Sequence, residues 1–186
     1  MGTPLLRSRA LLVAGILYVQ ESRYDEALRD LDACFGEAVM ETPPLPWDYS
    51  PYYRNEMGEP LYRRFVFFKE LIEQDALAPI KLLTNRIEQK FTFEGKRTVN
   101  LDPGYLTPAK LVLASTKDFS HRVYLKDGIF AEVTLMYEKG LFIPHKNTYR
   151  DYIDERFQRY FYLARNLLQV LSAGQREEEG GKDADL

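Results

Sequence analysis

The 186-residue chain, 45% hydrophobic and 13% aromatic, has the length and apolar content of one globular domain. Its net charge of −3 resides wholly in the tail from Ala173 to Leu186, so the rest is neutral and lacks the basic excess by which nucleic-acid binders neutralise phosphates. The lone cysteine, Cys34, excludes an internal disulfide or a Cys-rich metal centre, and with only His121 and His145 a zinc site would depend on carboxylates, so no metal is assigned.

Residues 1–9 read as a leader, 10–172 as a single α+β domain, and 173–186 as a disordered acidic tail. ALLVAGILY, 10–18, is a continuous apolar run of strand length, the pattern of a strand covered on both faces. It is too short for a bilayer, which takes ~20 residues, and charge rather than a cleavage site follows it. The expectation is a cytoplasmic protein without a membrane. Ser22 can cap a helix carrying Tyr24, Leu28, Leu31 and Phe35 on its apolar stripe, with Cys34 as a small core residue and Gly36 as the stop.

EAVMET reads as a short strand, and PPLPWDYSPYY as a long surface connection barred from helix by its prolines. Its Trp47, Tyr49, Tyr52 and Tyr53 either pin the loop to the core or form a binding wall. Leu61 to Leu71 is a strand, apolar centrally on both faces. The second helix falls in 75–92, with Ile80, Leu83, Ile87 and Phe91 buried and Lys81, Thr84, Asn85 and Glu88 sharing one flank. The strand RTVNL follows. This order is that of a ferredoxin-like βαββαβ unit, with four antiparallel strands and both helices on one face.

Asp102-Pro103-Gly104 breaks that strand. Thr107 and Pro108 then suit the start of a short helix to about Thr116, with a strand at LVLAS as the alternative. HRVYL, IFAEVTLMY and LFIPH, joined by Lys126-Asp127-Gly128 and Glu138-Lys139-Gly140, predict a three-stranded antiparallel meander. Read as three-residue loops, these turns put Val123, Leu125, Ile129, Ala131, Val133, Leu135 and Ile143 on one apolar face, and pair Arg122 with Glu132 and Tyr124 with Phe130 on the other. A C-terminal helix closes the domain through Phe157, Phe161, Ala164, Leu168 and Leu171.

No phosphate loop, HExxH, CxxC or GxSxG motif occurs, and no motif specifies a cofactor. The densest patch of reactive side chains is 97–124. Asp102 can act as base or metal ligand, or cap the turn; His121 can carry a proton or contact phosphate, or be a half-exposed histidine. Arg122 with Glu132 is a cross-strand ion pair or a site wall. Asp102, His121 and Glu132 are therefore the candidate catalytic groups, and Lys81, Asn85, Asn100, Tyr105, Lys117 and Arg122 the candidate ligand contacts. Together they suit an anionic nucleotide-like or phosphorylated small molecule. The competing reading is a non-catalytic module that binds a protein or its own copy through the 45–53 loop and the sheet edges.

At YYRNEMGEPLYRRFVFF, IKLLTNRIE, RTVNLDPGYLTPAKLVLASTKDFSHRVYL and GIFAEVTLMY, the chain resembles a bacterial family catalogued as domain of unknown function 4416, from about Leu11 to Tyr152. The resemblance implies a small stand-alone bacterial protein and no particular activity. It also implies that Glu56, Lys81, Asn85, Asn100, Asp102, Lys117, His121, Arg122 and Glu132 belong to the family's pattern.

Overall fold

The structure is a computed structural model describing residues 9–182, with side chains as far as 175. The rest of the 1–9 leader, and 183–186 of the acidic tail, lie outside the described residues. The apolar run forms strand β1 (Arg9–Tyr18), followed by helix α1 (Glu21–Phe35), β2 (Ala38–Glu41) and the short β3 (Leu45–Pro46). Helix α2 (Pro51–Met57) then leads to β4 (Tyr62–Glu73), α3 (Leu77–Lys90) and the β5–β6 ribbon (Thr92–Phe93, Lys96–Arg97). Next come β7 (Val99–Leu106), β8 (Lys110–Ser115), β9 (Val123–Lys126), β10 (Ile129–Glu138) and β11 (Leu141–Pro144). The short α4 (Arg150–Ile153) and long α5 (Glu155–Lys182) end the described chain.

The fold is α+β, built on one large antiparallel sheet ordered β11-β10-β8-β7-β1-β4-β2, with β3 also on β4 and β9 on β10. Both faces of β1 are covered, as its unbroken apolar run demands. Leu12, Ala14, Ile16 and Tyr18 pack with Tyr24, Ala27 and Leu31 of α1 and Ile80 and Ile87 of α3. Leu11 and Val13 face the other way, joining Phe65, Phe67, Phe157 and Phe161 beneath α5. Among the described residues no helix is long and apolar enough to cross a membrane.

Several expectations are corrected. The connection 43–61 contains α2: Ser50 accepts the Tyr52 N–H at 3.2 Å and Pro51 occupies the first turn, a cap that the prolines before it obscured. Cys34 is exposed. The buried stripe passes through Tyr24, Ala27 and Leu31, with Phe35 packed against it, and a one-residue offset turns Cys34 roughly 100° away.

Asp102-Pro103-Gly104 does not break the strand but lies inside β7. Leu101's N–H points away from β1, toward Glu88, so the missing N–H of Pro103 lies on the same outer edge, where no ladder bond is lost. Residues 110–115 are strand, not helix. Gly104 accounts for this in part: a Cβ there would lie 2.4 Å from the Val112 carbonyl oxygen, so its absence lets β8 approach β7. β8 thereby joins what were read as a four-stranded sheet and a separate meander into one sheet.

The meander itself is rearranged. Phe130 and Ala131 of β10 pair with both β8 and β9, and Leu135 and Met136 with both β8 and β11. Hence β9 and β11 share the outer edge of β10. The hairpin loops have two residues, not three. Asp127 (φ 52), Gly128 (φ 76), Lys139 (φ 50) and Gly140 (φ 87) supply the left-handed turns that match strand twist. Leu141 therefore faces Glu138, and Ile129 faces Lys126. A register shift between Ile129 and Phe130 restores the Tyr124–Phe130 pair, and another follows Val133. The expected apolar face does not form: Val123, Leu125 and Val133 are exposed, while Ile129 and Leu135 are buried.

Candidate functional site

β7 and β8 pair only from Gly104–Leu106 to Leu111–Leu113, then part. In the gap, the flank of α3 takes over the strand edge. Lys81 Nζ donates to the Leu101 carbonyl at 2.8 Å, and the Leu101 N–H donates to Glu88 Oε1 at 2.6 Å. Lys81 and Glu88 lie two turns apart on the same face of α3, 3.8 Å from each other. Two charged side chains thus replace a β-strand, and both are buried. The parting leaves a crevice of about 360 Å³.

Seven of the nine sequence candidates line this crevice. Lys81, Asn85, Asn100 and Asp102 come from the α3–β7 side; Lys117, Arg122 and Glu132 come from the β8–β10 side. Behind them stand side chains that sequence reasoning did not assign. Arg63 of β4 is buried and donates to Asp151 Oδ2 at 2.8 Å and to Asp102 Oδ2 at 2.9 and 3.0 Å. Asp151 also accepts the Trp47 indole N–H at 3.2 Å. A signal for Arg63 existed: it alternates with Leu61, Phe65 and Phe67, so it sits on an apolar face, where a charge needs a partner. Asp151 carried no such signal in its polar connection. Arg97 bridges Glu56 (2.7 and 3.0 Å), Glu88 (3.0 Å) and Asn100 Oδ1 (3.0 Å). Arg122 donates to Glu132 (2.8 Å), Ser115 Oγ (2.7 Å), the Lys117 carbonyl (2.9 Å) and Tyr149 Oη (2.9 Å).

The charges are strongly conditioned by this setting. Burial would raise the Asp102 carboxyl, but Arg63 and Lys81, with hydrogen bonds from Arg63 and Asn100, outweigh it and hold it below its ordinary range. Asp102 is therefore ionised at neutral pH. All three of its hydrogen bonds fall on Oδ2, leaving Oδ1 free to accept. Glu88 is pushed up, chiefly by burial, against the pull of Lys81, the Leu101 N–H and Arg97. Glu56 is held down by the Arg97 hydrogen bonds despite partial burial. Each guanidinium at the crevice is matched by a carboxylate. Lys117 is not: among the described residues its ammonium makes no contact ion pair, acts on Glu56 only at a distance, and lies 5.1 Å from the centre of the Tyr52 ring. The Asn85 amide likewise has no partner within the described chain.

Two candidates lie elsewhere. Tyr105 packs among Ala10, Leu77, Ala78 and Val112 and lines a separate cavity. His121 lines that cavity too, in the gap between β9 and β11, with its ring 5.9 Å from that of His145. Its Nε2 meets Glu132 Oε2 at 2.8 Å, so it touches the crevice only through Glu132. Among the described residues no group of three or more His, Cys, Asp or Glu side chains is placed to hold a metal ion.

The family model described as "Domain of unknown function (DUF4416)" matches residues 8–167. No curated protein and no solved structure matches the chain.

Proposed function

This chain belongs to the DUF4416 family, and from the geometry of its crevice we propose that it binds an anionic nucleotide-like or phosphorylated small molecule between β7 and β8. One observation carries this reading: amid charges that neutralise one another, Lys117 and Asn85 are left uncommitted at the same cavity. Burying so many paired charges costs several kcal/mol per ion before attraction repays it. Such lattices suit sites whose polar groups must be held in place before a ligand arrives. In this reading Lys117 Nζ and the Asn85 amide hold the anionic group. Asp102 Oδ1 accepts a ligand hydroxyl and is the group placed to take a proton. Glu132 and His121 orient Arg122 and so serve as positioning residues, and Tyr105 has no part in it.

The order β1-α1-β2-β4-α3-β7, paired as β7-β1-β4-β2, supports reading the first half as a ferredoxin-like unit onto which β8 to β11 are grafted. The neutral body of the chain speaks against nucleic acid, and a single exposed cysteine fits a reducing cytoplasm. The test is thermal stabilisation by ribose 5-phosphate and nucleotides. Lys117→Ala should abolish the shift without lowering the unliganded Tm by more than about 2 °C, since the side chain makes no ion pair. An unchanged ligand shift in the variant would sink the proposal.

A second reading has its own observation. Val123, Leu125 and Leu141 are exposed along the β9–β11 edge, where backbone groups face outward. Pairing of two copies there would bury them. Light scattering of Val123→Lys/Leu141→Lys against the parent decides it: a dimer that becomes a monomer supports edge pairing, and a monomeric parent ends it. The version based on the 45–53 loop loses its anchor, because Trp47 is buried against Leu17, Met57 and Leu61.

A further inference from the structure

A second cavity, of about 400 Å³, adjoins the polar crevice, and Tyr52, Tyr53, Asp102, Lys117 and Tyr149 line both. The lining changes character across this shared wall. On the α3 side it is amide and charge; on the far side Trp47, Tyr49 and Phe119 add ring surface beside Arg63, Arg150 and Asp151. Of the five strongly exposed aromatic rings among the described residues, Phe93 and Tyr124 lie elsewhere. The other three, Tyr52 (53% exposed), Phe119 (52%) and Tyr149 (46%), converge here. Ring surface left in water costs free energy in proportion to its area. Three such rings at one cavity make a surface that gains on being covered, most of all by another planar ring. Two of the rings are already oriented by cations: Lys117 Nζ lies 5.1 Å from the Tyr52 centroid, and the Arg122 guanidinium 4.8 Å from that of Phe119.

The charge balance limits the other end of the ligand. Arg63, Arg97 and Arg122 are committed to carboxylates and Lys81 to the Leu101 carbonyl, leaving Lys117, among the described residues, as the cation of the polar crevice without an ion pair, while Arg150 lines only the aromatic cavity. In the polar crevice, one cation facing one amide suits one phosphate. A polyphosphate would bring further charges toward Glu88 and Glu132 with nothing to meet them.

Resting on the binding reading above, we propose that the two cavities form one site for a nucleoside monophosphate. The base is covered by Tyr52, Phe119 and Tyr149. The sugar crosses the shared wall with a hydroxyl donated to Asp102 Oδ1, and the phosphate is held by Lys117 and Asn85. The combined space falls within the range of roughly 300–1,000 Å³ usual for small-molecule sites.

The chain's single tryptophan, Trp47, lines the aromatic cavity and reports on it by fluorescence. Calorimetry and Trp47 emission, corrected for nucleotide absorbance, would compare the four ribonucleoside 5′-monophosphates with their nucleosides, their triphosphates and ribose 5-phosphate. At least one monophosphate should bind ten-fold or more tightly than ribose 5-phosphate, its nucleoside and its metal-free triphosphate. Tyr52→Ala and Phe119→Ser, both at half-exposed positions, should reduce that affinity toward the ribose 5-phosphate value, and Phe119→Ser, whose ring rests on Arg122 rather than Lys117, should leave ribose 5-phosphate itself unchanged. Equal binding of ribose 5-phosphate and every monophosphate, or monophosphate affinity untouched in both variants, overturns the aromatic half while the anion site stands. A triphosphate that binds more tightly without metal overturns the one-phosphate argument. Absence of binding by every phosphorylated probe overturns both this inference and the reading beneath it.

Discussion

Replacing Arg63 by methionine tests the electrostatic lattice at its centre. The substitution keeps most of the volume but removes the cation between Asp102 and Asp151. Asp151, whose side chain is 2% exposed, would keep only the Trp47 indole at 3.2 Å. Asp102, 26% exposed, would keep Asn100 at 2.9 Å and the more distant Lys81. Breaking a buried ion pair costs roughly 3–5 kcal/mol, because the remaining charge is left uncompensated. Water reaches part of Asp102, so the second carboxylate adds little, and the expected loss is about 4 kcal/mol at pH 7. For a chain of this size that is about 8–16 °C in Tm. The pH dependence identifies the cause. In the parent, burial pushes the Asp102 carboxyl up and Arg63, together with Lys81 and Asn100, more than reverses this, so its stabilising contribution is present above its ordinary 3.8 and is lost only as pH falls through the lower folded value. Without Arg63, burial prevails, the folded carboxyl rises above the unfolded one, and the variant regains stability as it binds protons. Urea unfolding followed by Trp47 emission at pH 7 and pH 4.5 should show the gap between parent and variant narrowing with acid. Adding Asp102→Asn and Asp151→Asn should recover most of the loss at pH 7. A penalty below ~1 kcal/mol, or one equal at both pH values, would refute the claim that Arg63 neutralises both Asp102 and Asp151.

Two further substitutions probe how the crevice is held. Gly104→Ala places a Cβ 2.4 Å from the Val112 carbonyl oxygen and 2.6 Å from Leu113 Cδ2, so β7 and β8 must separate; a loss of about 3 kcal/mol is expected, with hydrogen exchange accelerated at Leu111–Leu113, and a variant of parental stability would contradict the close approach. Lys81→Met leaves the Leu101 carbonyl without its donor and Glu88 with Arg97 as its one remaining cation, which should cost about 1–3 kcal/mol. If Lys81→Met instead stabilises the fold at pH 7, the lysine is not the structural replacement for β8.

The ends of this architecture differ in how readily they were read. The α3 flank and the α5 stripe rest on periodicity, and the β1 run on unbroken apolarity, both imposed locally by side-chain direction along one element. That is why Lys81 and Asn85 were placed together from spacing alone, and why both faces of β1 were expected to be covered. The hairpins were legible as hairpins, because Asp127-Gly128 and Lys139-Gly140 carry turn chemistry. Their registers were not, since loops of two and three residues differ by one residue and that difference reverses every facing side chain. His121 and Tyr105 were grouped with Asp102 by nearness in the chain, but strand alternation and the gap between β9 and β11 carried them to another cavity.

The sequence by itself determined β1, β4, α3 and α5, the covered faces of those elements and the stock of polar groups between 81 and 132, because those follow from residue type and short-range geometry. Only the tertiary structure decided that β8 would join the two halves, that β7 and β8 would part beyond the Gly104–Leu113 pair, and that Arg63 would meet partners 39 and 88 residues away. Those outcomes depend on which edges are left unpaired and which charges are left unneutralised once the chain has folded. No local pattern records either, and the crevice exists because of both.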